Sequence, residues 1–226
     1  MKKFNSVFSI LFGFFVLVAL LLSVLDASCF DLSFYTKEYQ KYNNAEIIGI
    51  SSEELMDTTE VLLDYITDER EDMVVYATVK GVEREVFNQR EKDHMVDVKQ
   101  LYLLAMTVKE VCAIGAAILG IVFLFQHKKQ GLSWLAQGYK KACGIFVAII
   151  AGLGIVAYID FTRFWTLFHQ IFFSNDLWLL NPKTDIMILM VPEGFFYDLV
   201  FKIALWFILI MIVLLILAQF ITKKEE

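Results

Sequence analysis

"LVFKIALWFILIMIVLLILAQFI", Leu199–Ile221, decides the fold. One charge, Lys202, stands near its start, and the remainder leaves no polar face for water. A helix that crosses a bilayer needs roughly 20 mostly apolar residues, because the hydrocarbon layer is about 30 Å thick. This run meets that length, and three others do too: "VFSILFGFFVLVALLLSVL" (Val7–Leu25), "LYLLAMTVKEVCAIGAAILGIVFLF" (Leu101–Phe125) and "ACGIFVAIIAGLGIVAYIDF" (Ala142–Phe161). The second holds Lys109 and Glu110, and the third runs into Asp160 and Arg163. Composition agrees: 58% of residues are hydrophobic and mean hydropathy is +0.60, values of a polytopic membrane protein rather than a soluble core. The expected fold is an α-helical polytopic membrane protein, one integrated domain over residues 1–226. Its transmembrane helices are placed at about 7–25, 101–125, 142–161 and 199–221.

The first run exceeds the roughly 7–15 apolar residues of a signal peptide. It leads into "SVLDASCF" (Ser23–Phe30), where Asp26 spoils a lipobox reading of Cys29, so a retained helix is expected. Cys29, Cys112 and Cys143 fall at different expected depths and show no C-x-x-C spacing, which reads as packing rather than as zinc or redox chemistry.

Lysines in short flanks stay cytoplasmic. Lys2 and Lys3, then Lys128, Lys129, Lys140 and Lys141, then Lys223 and Lys224 all fall on one side of the four-helix layout. Both termini and a loop at 126–141 are therefore expected inside, and residues 28–100 and 162–198 outside. The first outer segment carries 17 acidic and 8 basic residues. Acidic outer loops argue against nucleic acid as a partner and against a polybasic lipid clamp.

That outer segment reads as a small α+β extracytoplasmic domain. "SSEELMDTTEVLLDYIT" (Ser51–Thr67) sets Leu55, Thr59, Leu62, Leu63 and Ile66 at helical spacing behind a serine cap, Ser51 or Ser52. "DMVVYATVKGVEREVFN" (Asp72–Asn88) reads as a hairpin turning at Lys80-Gly81. In the second outer loop, "DIMILM" (Asp185–Met190) reads as a further extended segment.

"REKDHMVDVKQLY" (Arg90–Tyr102) links the hairpin to the second long apolar run. On a helix, Asp97 lies within i+3 reach of His94. His94 is about 15 residues before Lys109, roughly 22 Å of helix, so a break near residues 99–102 is expected to keep it at the interface. His169 leaves the third helix among Phe164, Trp165, Phe168, Phe172 and Phe173, while His127 sits with lysines on the inner side. Each outer histidine alone reads as an interfacial residue, and the aromatics as a belt. Two histidines at one expected depth, each near carboxylates, point to a site. No G-x-S-x-G, S-x-x-K, H-E-x-x-H or glycine-rich phosphate loop accompanies them, which leaves imidazole as the reactive group. Where lipid ester carbonyls sit, proton transfer by imidazole suggests acyl transfer.

"EKDHMVDVKQLY" (Glu91–Tyr102), with its H-M-x-D-V block, and "FWTLFHQIFFSNDLWLLNPKTDIMILMVPEGFF" (Phe164–Phe196), with F-H-x-I-F-F-x-x-x-x-W, a following aspartate and P-x-x-F-F, resemble the lipoprotein intramolecular transacylase family, Lit. The resemblance runs over nearly the whole chain. It implies an enzyme of the bacterial cytoplasmic membrane, active at its outer face on diacylglyceryl-modified lipoproteins embedded in membrane lipid. Such enzymes move the sn-2 acyl chain to the α-amino group of the N-terminal cysteine, giving a lyso-form lipoprotein, and they need no cofactor. The family's two histidines map onto His94 and His169. Asp97 is expected to orient His94. Arg90, Tyr102 and Arg163 are candidates to steady an oxyanion, and Trp178 and Asp185 are expected to support the site. The alternative is a non-catalytic sensor or adaptor with a pH-responsive outer domain. A transporter using Lys109, Glu110, Asp160 and Arg163 lacks an inverted repeat.

Overall fold

The computed structural model describes residues 2–223. Lys224, one of the lysines used for orientation, lies outside them. The protein is mostly helical, with four helices long and apolar enough to cross a membrane and one two-stranded sheet. The elements run α1 (Lys2–Cys29), α2 (Leu32–Tyr42), α3 (Asn44–Ile48), α4 (Ser52–Ile66), β1 (Tyr76–Val79), β2 (Val82–Glu85), α5 (Gln89–His127), α6 (Lys129–Ile159), α7 (Phe161–Phe172), α8 (Met187–Met190) and α9 (Glu193–Lys223). They group into two compact units. Among the described residues the first is 2–27, 105–161 and 201–223; the second is residues 28–104 and 162–200.

The first unit holds the apolar spans. Its centre packs Leu17, Ala142, Cys143, Phe146, Phe207 and Met211. In lipid the hydrophobic effect does not drive helices together, so close backbone approach does that work. A Cβ on Gly138 would come 2.0 Å from the Ser9 carbonyl oxygen, and one on Gly13 would come 2.7 Å from Tyr139 Cα. The Tyr139 hydroxyl donates to the Met211 carbonyl at 3.2 Å. Lys109 pairs with Asp26 at 2.8 Å, so the charge that weakened the second run has a partner. His127 meets Asn5 Nδ2 at 3.2 Å.

Residues 126–141, expected as a loop, are helical except at a one-residue turn. α6 starts at Lys129, directly after Lys128, whose φ is 51°. The turn is compact because Gly131 lets α6 pass close to the Phe123 carbonyl, 2.3 Å from where a Cβ would sit. The expected break near 99–102 is also absent, since α5 is continuous over 39 residues.

The second unit is built on local signals. Ser51 caps α4 in a full capping box with Glu54, and of the expected face Leu55, Thr59, Leu62 and Leu63 are buried while Ile66 is half-buried. β1 and β2 pair antiparallel with Val79 opposite Val82, and Lys80 and Gly81 both take positive φ, the geometry of a type I′ turn. Lys80 N–H donates to the Gly49 carbonyl at 2.7 Å, and Thr78 N–H to Glu54 Oε1 at 2.9 Å, which joins the hairpin to the helical layer. The helices α2 and α3 were not expected. Asp31 caps α2, and Tyr39 meets Thr59 of α4 at 2.7 Å. The second outer segment opens on a separate helix, α7, following Asp160 at the end of α6. "DIMILM" is not extended; it forms the single turn α8, because Glu91 draws the Met187 N–H onto its carboxylate at 2.6 Å.

Candidate active site

His94 sits in the second turn of α5, whose start is fixed by two side chains. Asn88 Oδ1 accepts the Glu91 N–H at 3.1 Å, and Glu91 Oε2 accepts the Asn88 N–H at 2.7 Å, a reciprocal cap. Glu91 is fully buried, and its other oxygen holds α8. Three residues on, His94 is buried with Nδ1 lacking a hydrogen-bond partner among the described residues.

His169 is the buried residue of α7, a strongly amphipathic helix. Its Nδ1 lies 2.8 Å from the Trp165 carbonyl oxygen. A carbonyl only accepts, so Nδ1 carries the hydrogen, and in the neutral ring Nε2 keeps its lone pair. Burial holds this imidazole below the ordinary histidine value, against the opposing effect of the Trp165 bond. Trp178 stacks on the ring with centroids 4.8 Å apart, and Trp165 and Phe173 flank it at 5.0 and 5.6 Å. The His94 and His169 rings face each other, centroids 6.1 Å apart and planes 34° from parallel, with Phe173 against His94 at 5.4 Å. The two histidines singled out from the sequence are thus brought together, although 75 positions separate them.

The supporting residues divide. The charge of Asp97 raises the basicity of His94, while its Oδ2 accepts from Asn175 Nδ2 at 2.8 Å. Arg90 donates to the Asp176 carbonyl and pairs with the Asp176 carboxylate at 3.5 Å, so its charge serves the same turn. Trp178 lies against His169. Asp185 is a structural staple, accepting from Asn181 N–H at 2.6 Å, Thr184 Oγ1 at 2.8 Å and Asn88 Nδ2 at 2.8 Å. Burial alone would raise its carboxyl, but these donors outweigh it and hold the group below the ordinary range. Tyr102 packs on Phe30 at 5.1 Å. Arg163 is exposed on α7, six residues before His169 and about 120° around the helix from it. Sequence reading missed Glu91 and Asn175. The N-x-x-E spacing of Asn88 and Glu91 was a usable capping signal, whereas nothing local marks Asn175.

Two imidazoles in an aromatic shell, one with a committed Nδ1–H and an available Nε2, can accept a proton and pass one on. Among the described residues no group of three or more His, Cys, Asp or Glu side chains is placed to hold a metal ion.

The fold is similar to that of the membrane-integral lipoprotein intramolecular transacylase Lit from Bacillus cereus, with a TM-score of 0.80 at 21% identity, covering 100% of this chain and 99% of that one. Structures of the same bacterial protein with one histidine changed to arginine or to alanine match with TM-scores of 0.74 and 0.76 at 20% and 21% identity. The arginine form covers 99% of this chain and 94% of that one; the alanine form covers 99% and 96%. At such identities the likeness establishes the fold. No curated protein matches the sequence. The model of the family described as lipoprotein intramolecular transacylase Lit matches residues 9–196, most of the chain, including both histidines and the segments that build their shell, and the protein therefore belongs to that family.

Proposed function

We propose that this transacylase moves the sn-2 acyl chain of the diacylglyceryl group on a bacterial lipoprotein to the α-amino group of the same N-terminal cysteine. The cysteine nitrogen attacks the ester carbonyl, and the carbonyl carbon's bond to the glycerol oxygen breaks. The nitrogen loses one proton and the glycerol oxygen gains one. The products are an amide and a free glycerol hydroxyl, so atoms balance without a co-reactant. The facing, buried rings of His94 and His169 are the observation that carries this reading.

His169 takes the role of base, because its Nδ1 is committed to Trp165 and its lowered basicity keeps Nε2 unprotonated near neutral pH. His94, pushed down to about 4 by burial and by the facing His169, is neutral as well, so it relays to the leaving oxygen the proton that His169 takes from the amine. Its unpartnered Nδ1 supports that role, since a buried polar atom left alone costs about 1–3 kcal/mol and a substrate oxygen would satisfy it. General acid–base help of this kind contributes about 10²–10⁴ in rate, and holding amine and ester of one molecule in a near-attack pose adds up to about 7–11 kcal/mol. Arg90 is engaged by Asp176, which favours backbone amides as the oxyanion donors. The lysine-rich flanks support cytoplasmic termini and a site on the outer face.

The test is tandem mass spectrometry of a lipoprotein's N-terminal peptide from cells that make only the diacylglyceryl form, with and without this protein. Fragmentation must locate the chain, because transfer within one molecule leaves the intact mass unchanged. N-acylcysteine with one chain left on glycerol, lost in His94→Ala and His169→Ala, is the expected result. Chains that stay on glycerol despite normal insertion would sink the reading in favour of a sensor.

A further inference from the structure

Two residues of α5 that flank His94 reach the same short turn. Arg90, four residues before it, holds Asp176 through carbonyl and carboxylate; Asp97, three residues after it, accepts from Asn175. Asn175 is the hub of that turn. Its Nδ2 donates to Asp97 at 2.8 Å, its Oδ1 accepts the Leu177 N–H at 3.1 Å, and its carbonyl accepts from the Trp178 indole Nε1 at 2.9 Å. The indole so tethered is the ring stacked on His169, 27° from parallel. One residue therefore connects the helix of His94, through its side chain, to the cover over His169, through its carbonyl.

We propose that Asn175 is a positioning residue for His169: by bonding Asp97 it holds the 174–178 turn so that Trp178 shields the base and fixes its tilt. The inference rests on the transacylase reading for its effect on rate, while its effect on the ring itself is independent of that reading. Loss of the Asp97 bond leaves the turn held to α5 by Arg90 alone, which loosens Trp178, lets water reach the imidazole, and lets Nε2 swing from its line of attack. His94 is the ionisable group against the ring, Arg90 and Asp97 on α5 are engaged with Asp176 and Asn175, and Glu193 of α9 accepts from Thr162 at 2.8 Å. Burial is what holds the His169 imidazole down, so its hydration raises its basicity.

The experiment uses the full chain in lipid nanodiscs with a synthetic diacylglyceryl lipopeptide, together with NMR titration of the histidine ring nitrogens. Asn175→Ala should lower kcat about tenfold with KM within about twofold, and should move the His169 titration upward toward 6.5. Asn175→Asp, which sets two carboxylates together, should be worse. The exchange Asp97→Asn/Asn175→Asp restores donor and acceptor in swapped positions, and should recover kcat and return the titration to its wild-type position. If Asn175→Ala leaves both readouts unchanged, or if the exchange is no better than Asn175→Asp at equal unfolding temperature, the positioning role is wrong. If the wild-type protein transfers no acyl chain, the transacylase reading fails, and the ring titration alone decides whether Asn175 holds Trp178 over His169.

Discussion

Glu91 and Met187, 96 residues apart, are joined by one hydrogen bond of 2.6 Å from backbone N–H to carboxylate, while the second Glu91 oxygen closes the cap of α5 on Asn88 at 2.7 Å. Removal of this carboxylate strands two N–H groups at once, in a place where Glu91 has no exposure. Glu91→Ala should therefore lower stability by about 2–6 kcal/mol, the sum of two donors left alone. Thermal unfolding in detergent reads this directly, and an unchanged midpoint would show that the bridge contributes nothing.

The pH profile follows from His169. Its pKa lies below the ordinary value of about 6.5, so the imidazole is neutral at pH 7, and the proposed role as base is lost only as pH falls through that lower value. The substrate α-amine, with a pKa of about 7.7–8.0, must also be neutral and supplies a limb above it. Log kcat/KM should fall with unit slope below the amine limb and steepen to a slope of about two only under pH 6.5. In His169→Asn the steeper limb should vanish and the rate should drop by about 10²–10⁴. A steep limb retained in that variant would remove His169 as the base.

Helix packing in the first unit makes a paired prediction. Gly138→Ala places a Cβ 2.0 Å from the Ser9 carbonyl oxygen, against backbone that cannot yield cheaply, and overpacking of that kind costs about 1–3 kcal/mol. Gly144→Ala, with nothing within 4 Å, should be neutral or slightly favourable. Unfolding of both variants in the same detergent checks the pair, and equal behaviour would contradict the close approach.

Lys109 and Asp26 make a third stability test, because a charge that loses its partner within an apolar span is costlier than no charge at all. Lys109→Met should lower the unfolding temperature more than the double variant Lys109→Met/Asp26→Leu. A double variant worse than the single would mean that Asp26 does not depend on Lys109.

Features written in neighbouring residues were legible. Lys80-Gly81 announced its turn, Ser51 its cap, and the long apolar runs their helices, because each depends on local backbone preference or on composition over a window. The histidine pair was legible as a choice of residues, from the chemistry of imidazole and the family resemblance. Its surroundings were less so. α2 buries Tyr35, Glu38 and Tyr39, a face too polar for a hydropathy reading to separate from a wet loop. The turn at Lys128 hides among helix-forming residues, and α8 is wound by a carboxylate from a distant helix. Asp97 looked committed to His94 because i+3 spacing allows contact, but a side chain with two neighbours takes the better donor, and Asn175 lies far away in the chain.

The hydrogen bond that sets the tautomer of His169 ends on the main chain at residue 165. Every amino acid brings the same carbonyl to that place, so no change of codon 165 that leaves α7 wound can reverse which nitrogen holds the proton. The indole at 165 can therefore be exchanged for another side chain, and its ring contact with the imidazole lost, while the proton stays on Nδ1 of His169.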